Sequence, residues 1–166
     1  MSTLYVDTIT EKTSGNGVQI PGHVIQVKQV NWTTTGSSSS TSFVSMGEIG
    51  SITTTATNSK ILVTTNMPLQ LSSSAYSQAL LEIRNSLDSY TNYLERHFAV
   101  GAPESSGGYT MEHLGWNTLH DAQQPAGTTI SYRTYYKLVN GSGAYYIDGW
   151  GQSGLSYKCT LMEIAQ

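Results

Sequence analysis

The sequence predicts an all-β fold, an antiparallel jelly-roll-like β-sandwich preceded by an extended N-terminal arm. The chain is rich in Ser, Thr, Gly and Tyr, and only 11% of its residues are charged. Such a composition favours strands and turns over helices. Short stretches of period-two alternation recur along the chain, separated by turn-rich segments such as TTTGSSSSTS, NGSG and GQSG. Their spacing is typical of a sandwich or a barrel.

The clearest alternation lies in KILVTTNMPLQL, residues 60–71. Alternate side chains of a strand point to opposite faces of its sheet, so one face of this segment is predicted to be buried. That face carries Ile61, Val63, Thr65, Met67, Leu69 and Leu71. Pro68 lies on the other face and has no backbone N–H, which predicts a sheet edge or a bulge there.

A second long strand is predicted in TISYRTYYKLV, residues 129–139. We expect one of its faces to point inward and the other to be amphipathic. The inward face carries Ile130, Tyr132, Thr134, Tyr136 and Leu138, and the outward face carries Arg133, Tyr135, Lys137 and Val139.

Seven further strands bring the predicted total to about nine. Among them, only ALLEIRNSL is also compatible with a helical turn, and its short length and Ser-rich flank weaken that alternative. The seven segments are residues 23–30, 42–49, 80–87, 92–100, 111–119, 144–150 and 157–165.

The chain is predicted to form an arm, residues 1–22, and a sandwich body, residues 23–166. The arm contains the apolar hexamer LYVDTI followed by Gly15, Gly17 and Pro21, and it has too few apolar groups to pack as a unit. We interpret the hexamer as a strand that docks on a partner's sheet edge, an intramolecular first strand being the alternative. The predicted attachment residues are Leu4, Tyr5, Val6 and Ile9.

Charge and hydropathy argue against several classes of partner. The net charge is −3, which gives no general attraction for nucleic acid or an anionic membrane. No stretch approaches the roughly 18 apolar residues of a membrane span. The N-terminus lacks the pattern of a signal peptide, so we expect a soluble protein made in a cytoplasm. The single cysteine, Cys159, is predicted to be a buried apolar side chain.

No motif for metal, cofactor or catalysis is found, and we predict a non-enzymatic protein. His113 and His120 are seven apart, which on a strand places them on opposite faces. The carboxylates fall in or beside separate predicted strands, and a glycan-cleaving pair among them stays open as an alternative. Glu82 with Arg84, and Glu95 with Arg96, are interpreted as surface ion pairs.

The aromatic residues predict a subunit interface. The chain has 11 Tyr against 2 Phe, and tyrosine suits partly wet surfaces such as interfaces and sugar-binding shelves. The Tyr-rich strands 130–138 and 144–150 offer more large side chains than one sandwich needs, which favours a trimer. The predicted interface residues are Tyr132, Tyr135, Tyr136, Tyr145, Tyr146 and Trp150.

Three stretches resemble small structural proteins of tailed bacteriophages, especially phages of aquatic bacteria and cyanobacteria. They are PGHVIQVKQV at 21–30 following the LYVDTI arm, SKILV at 59–63 and TLMEIAQ at 160–166. The resemblance spans the chain in order but is specific only at these places. It implies a jelly-roll body assembled as a homotrimer and located in the virion.

Two virion roles remain open from this resemblance. A tail-fibre or fibre-head protein would present variable loops to a glycan or protein on the host surface. A capsid decoration protein would clamp neighbouring shell subunits. A more distant alternative is a carbohydrate-binding module or glycan-cleaving enzyme.

Overall fold

The computed structural model describes residues 21–32, 37–72, 77–101, 109–140, 145–146 and 157–166. These residues form ten strands and one short 3-10 helix, η1, at Ser86–Asp88. The strands are β1 Val24–Trp32, β2 Ser37–Ser38, β3 Val44–Thr53, β4 Lys60–Ser72, β5 Ser77–Asn85, β6 Tyr93–Gly101, β7 Tyr109–Asp121, β8 Thr129–Asn140, β9 Tyr145–Tyr146 and β10 Tyr157–Ile164.

The strands form two antiparallel sheets with the strand order of a jelly roll. The first sheet runs β1-β10-β4 with β7 on the far side of β4, and the second runs β3-β8-β5-β6. Without the two-residue strands β2 and β9, the first sheet holds the first, eighth, third and sixth strands in chain order. The second sheet holds the second, seventh, fourth and fifth. This interleaving is the double Greek key of a jelly roll, so the predicted fold class is confirmed.

The core lies between the two sheets, and both predicted inward faces are confirmed. Every predicted inward residue of β4 and β8 is buried. The outward residues Arg133, Tyr135 and Lys137 are half-buried, and Val139 is exposed. Cys159 is fully buried in the same core, as predicted. Burial raises the pKa of its thiol to about 12, so it behaves as an apolar side chain.

Pro68 occupies a locally one-sided stretch of β4. Strand β7 pairs with the whole of β4, whereas on the other side β10 reaches only Thr65 and β9 begins at Gln70. Among the described strands, Pro68 therefore has a neighbour on one side only. A residue without a backbone donor fits such a position, in agreement with the predicted edge.

The segment ALLEIRNSL is a strand rather than a helical turn. Its first seven residues belong to β5, and the chain then turns through η1. The Asn85 side chain caps that turn by accepting a hydrogen bond from the N–H of Leu87. The predicted strand 144–150 is described only at β9, and the LYVDTI hexamer lies outside the described residues.

Candidate functional site

A buried carboxylate, Glu163, organises one end of the first sheet. It lies on β10 with no exposed surface and accepts hydrogen bonds from five donor groups. These are the N–H and hydroxyl of Thr55, the N–H of Ala56, the hydroxyl of Ser59 and the side-chain amide of Gln26, at 2.7–3.0 Å. Burial alone would raise the pKa of Glu163, but these hydrogen bonds outweigh it and hold the pKa below its ordinary value of 4.5. The side chain is therefore a buried anion that fixes the β3–β4 loop.

The Glu163 cluster joins the three stretches that carried the sequence resemblance. Gln26 comes from GHVIQV, Ser59 from SKILV and Glu163 from MEIAQ. The N–H of Gly22 donates to the carbonyl of Ala165 at 2.8 Å, beside this cluster. The point at which the arm enters the body is therefore held by the same three stretches.

A second buried carboxylate, Glu82, lies on the outer face of the other sheet. It projects from β5 away from the core yet has no exposed surface, because Arg84 and Arg96 cover it. The Nε of Arg84 donates to it at 2.8 Å, and the Nε of Arg96 donates at 2.7 Å. The predicted Glu82–Arg84 pair is confirmed, although its carboxylate is buried. The predicted Glu95–Arg96 pair is wrong, because adjacent strand residues face opposite ways and Glu95 instead contacts His97 at 2.8 Å.

Around Glu82, positive side chains lie over aromatic rings. The cations of Arg84, Lys137 and Arg96 lie 4.7, 4.9 and 5.9 Å from the centre of the Phe43 ring. Three further contacts of this kind are Arg84 over Tyr135 at 4.4 Å, Arg96 over Tyr93 at 4.0 Å and Arg133 over Tyr90 at 4.5 Å. All three arginines of the chain thus lie on this one face, which we call the arginine face. Each contact lies within the range of a cation–π interaction.

A strained turn supports the arginine face. Tyr90 has a φ of 61°, which is unfavourable for a bulky aromatic residue. Its carbonyl accepts a hydrogen bond from Arg84 at 2.9 Å, and its ring lies beneath Arg133. Strained backbone of this kind occurs often at ligand-binding and catalytic sites. The turn makes the arginine face a candidate functional site.

A shallow trough of about 490 Å³ crosses the outer face of the first sheet. It passes over Gly115, where an added Cβ would meet no atom within 4 Å. Its single charged lining residue is Lys158, so acid–base chemistry has no pair of groups there. The trough is lined by Thr64, Thr65, Asn66, Gly115, Trp116, Asn117, Lys158 and Thr160.

The structure separates the predicted interface residues into three groups. Tyr132 and Tyr136 are fully buried in the core of one chain, so a single sandwich accounts for their rings without a second subunit. Tyr135 is half-buried on the arginine face. Tyr145 and Tyr146 form β9, which pairs with β4 and β2. Trp150 and the attachment residues lie outside the described residues.

The described histidines and acids do not assemble a metal or catalytic centre. Within the described residues, no group of three metal-ligating side chains occurs. His120 is buried, and its Nδ1 lies 2.9 Å from the Tyr132 hydroxyl. Burial lowers the pKa of His120 more than the nearby Asp121 and Asp88 raise it. The two fully buried carboxylates belong to different sheets.

The sequence pattern revealed neither the Glu163 cluster nor, beyond the predicted pair with Arg84, the burial of Glu82 and its contact with Arg96. The available signal was a charged residue within an otherwise apolar strand, as in LLEIR and LMEIA. A charge in such a place is rarely buried without partners. The partners come from distant parts of the chain, which is why pattern alone did not reveal them.

Comparison with protein-family models and with curated proteins gives no match. Solved structures with some likeness are VP2 proteins of infectious bursal disease virus. A D431N mutant from derived T=1 particles has 12% identity, and a VP2 subviral particle has 10%, both with a TM-score of 0.40. These matches cover 84% and 85% of this chain but only 36% and 37% of those proteins. In the described part of the chain, no helix is long and apolar enough to span a membrane.

Proposed function

We propose that the protein is a non-enzymatic structural component of a bacteriophage virion, exposed on the particle and attached through its N-terminal arm. The observation that carries the proposal is the fixed entry of the arm into the jelly roll. The Glu163 cluster and the Gly22–Ala165 hydrogen bond hold the chain where the arm meets the body. These contacts join the end of the arm to β1, β10 and the β3–β4 loop. The particle is the site of action, and synthesis takes place in the host cytoplasm.

The edge of the first sheet supports assembly with other chains. Strand β1 pairs only with β10 among the described strands, and Val24 and Val27 on it are 50% and 60% exposed. A long edge strand with exposed apolar residues readily pairs with another chain. We assign the homotrimer to contacts of this kind, with Tyr145, Tyr146 and Trp150 as further interface candidates. Tyr135 lies on the arginine face and is assigned to that face instead. Light scattering should give three times 18.0 kDa; a monomer mass at all concentrations contradicts the trimer.

The arm is tested by incorporation into particles. A full-length variant with Leu4→Asp and Val6→Asp should fold and form trimers but be lost from purified particles, because charged groups disrupt an apolar docking strand. A variant lacking residues 1–20 should behave in the same way. Lys12→Gln, a change outside the hexamer, serves as the matched control. Normal incorporation of the double variant contradicts attachment through Leu4, Tyr5, Val6 and Ile9.

Within the virion, the role we favour is a tail-fibre or receptor-binding type. The arginine face supports it, since a strained, cation-rich surface suits recognition better than shell clamping. Electron microscopy of particles labelled on this chain separates this role from the capsid decoration alternative. Label confined to the tail supports the receptor-binding type, and label spread over the capsid supports decoration. Absence from particles contradicts the virion proposal itself.

A further inference from the structure

We infer that the arginine face binds an acidic polysaccharide, with Arg133 and Lys137 contacting its anionic groups. The inference deepens the proposed receptor-binding role and rests on it. The ligand chemistry is a sugar polymer that carries carboxylate or phosphate groups. The site consists of the outward residues of β8 and the aromatic residues beside them.

Positive charge is in excess on the arginine face. Arg84, Arg96 and Lys137 surround Phe43, and Glu82 is the carboxylate that the two arginines share. The chain as a whole has a net charge of −3, so this positive surface is a local concentration. Three positive side chains against one carboxylate leave a net positive charge on this surface, and like charges this close repel one another. A bound anion would relieve that repulsion.

Arg133 and Lys137 differ from Arg84 in their hydrogen-bond partners. Arg84 donates to Glu82 and to the carbonyl of Tyr90. By contrast, Arg133 and Lys137 have no carboxylate within 4.0 Å among the described residues, although Glu48 is the β3 register partner of Arg133. The Nε of Arg133 is also buried without an acceptor in the described part of the chain. Because that nitrogen is buried, a ligand on the outer face would reach the guanidinium through its terminal NH₂ groups rather than through Nε.

The spacing of Arg133 and Lys137 along β8 also bears on the ligand. The two residues are four apart on one face of the strand, so their Cα atoms lie about 13 Å apart at the strand rise of roughly 3.3 Å per residue. Tyr135 lies between them. The guanidinium carbon of Arg133 lies 4.5 Å from the centre of the Tyr90 ring, a contact that restrains the guanidinium. Two cations carried on backbone positions spaced in this way suit a ligand with repeated anions better than a single small anion.

Apolar surface beside the cations favours a sugar chain as the carrier of these anions. Phe98 is 53% exposed and is paired across the sheet with Leu80, which in turn is paired with Lys137. Sugar rings present apolar C–H faces that rest on exposed aromatic side chains. The combination of exposed aromatic surface with spaced cations therefore suits an acidic polysaccharide.

The test measures binding of the full-length protein to polygalacturonate and to phosphorylated dextran by calorimetry. Methyl-esterified polygalacturonate and plain dextran are the neutral controls. We expect binding to at least one acidic polymer, weakened by salt because the contacts are charged, and no binding to the neutral forms. The polymer that binds identifies the anionic group.

Matched variants locate the site. Arg133→Gln with Lys137→Gln should weaken binding by at least about tenfold, the loss expected when charge-assisted contacts are removed. Lys28→Gln with Lys158→Gln removes the same charge from the other sheet and should leave affinity unchanged. Circular dichroism and thermal unfolding confirm that both proteins are folded.

The outcomes separate this inference from the proposed function. No binding to either acidic polymer, or equal weakening by the two double variants, overturns the acidic-polysaccharide site. In either case, the presence of the chain in particles would still support the virion role. Binding through Arg133 and Lys137 by a chain absent from particles would overturn the virion role and leave the polysaccharide site standing.

Discussion

Replacing Glu163 by Gln tests whether the buried carboxylate stabilises the end of the body at which the arm enters. The amide nearly preserves the shape of the side chain but places an NH₂ where one oxygen accepts hydrogen bonds. At the Oε2 position those bonds come from the Thr55 hydroxyl at 2.8 Å, from the Gln26 amide at 3.0 Å and from the Thr55 N–H at 3.0 Å, which also donates to Oε1. A hydrogen bond to a charged group contributes about 1.5–3 kcal/mol, and an orphaned buried donor costs a similar amount. We therefore expect the free energy of unfolding to fall by about 3 kcal/mol.

The pH dependence of that loss identifies the charge as its cause. The pKa of Glu163 is lowered in the folded state from 4.5, so its contribution is complete above the unfolded pKa. The contribution is lost as the pH falls through the folded pKa, because the carboxyl then takes up a proton. The difference between wild type and Glu163→Gln should therefore stay constant from about pH 7 down to about pH 4.5, and shrink as the pH falls further.

The assay is urea unfolding followed by tryptophan fluorescence at each pH. Glu48→Gln, an exposed carboxylate on β3, is the control and should change stability little at any pH. A stability difference for Glu163→Gln that stays constant across the pH range would show that the charge of Glu163 is not the cause of the loss. An unfolding free energy equal to that of wild type near neutral pH would refute the stabilising role of the carboxylate itself.

Two further predictions concern the core. Gly101→Ala should destabilise the fold by about 1–3 kcal/mol, because the added Cβ would lie 2.9 Å from the Cβ of Leu71. Gly115→Ala, where the space is open, is the matched control in thermal unfolding, and equal melting temperatures for the two variants would contradict the packing. Cys159, buried with a raised pKa, should resist a thiol reagent in the native protein and react fully in urea. Rapid native labelling would contradict its burial.

The proposed receptor-binding role uses the arginine face as a binding surface and involves no catalytic step. Its carboxylate, Glu82, serves to hold Arg84 and Arg96 in place, and a buried pair of this kind is better evidence for positioning than for stability. The strained Tyr90 turn belongs to the same arrangement. Fixed cations on a rigid sheet recognise anions with little loss of side-chain entropy.

The fold class and the inward faces of the long strands could be predicted from the sequence. In β4 and β8 the alternation identified every inward residue, because a period of two is imposed by the backbone of a strand and is therefore visible locally. The same alternation correctly placed Arg133, Tyr135 and Lys137 on the outer side. Pro68 marked a one-sided stretch of β4, since a missing N–H is also a local property.

Which charged side chains contact each other depends on the tertiary structure. Glu163 collects donors from the β1 strand and from the β3–β4 loop, more than a hundred positions away along the chain, and Arg96 reaches Glu82 rather than its neighbour Glu95. It also decided that Tyr132 and Tyr136 fill the core of a single chain. Partners distant in sequence depend on strand order and register, and those are set by packing of the whole sandwich, which no local pattern encodes.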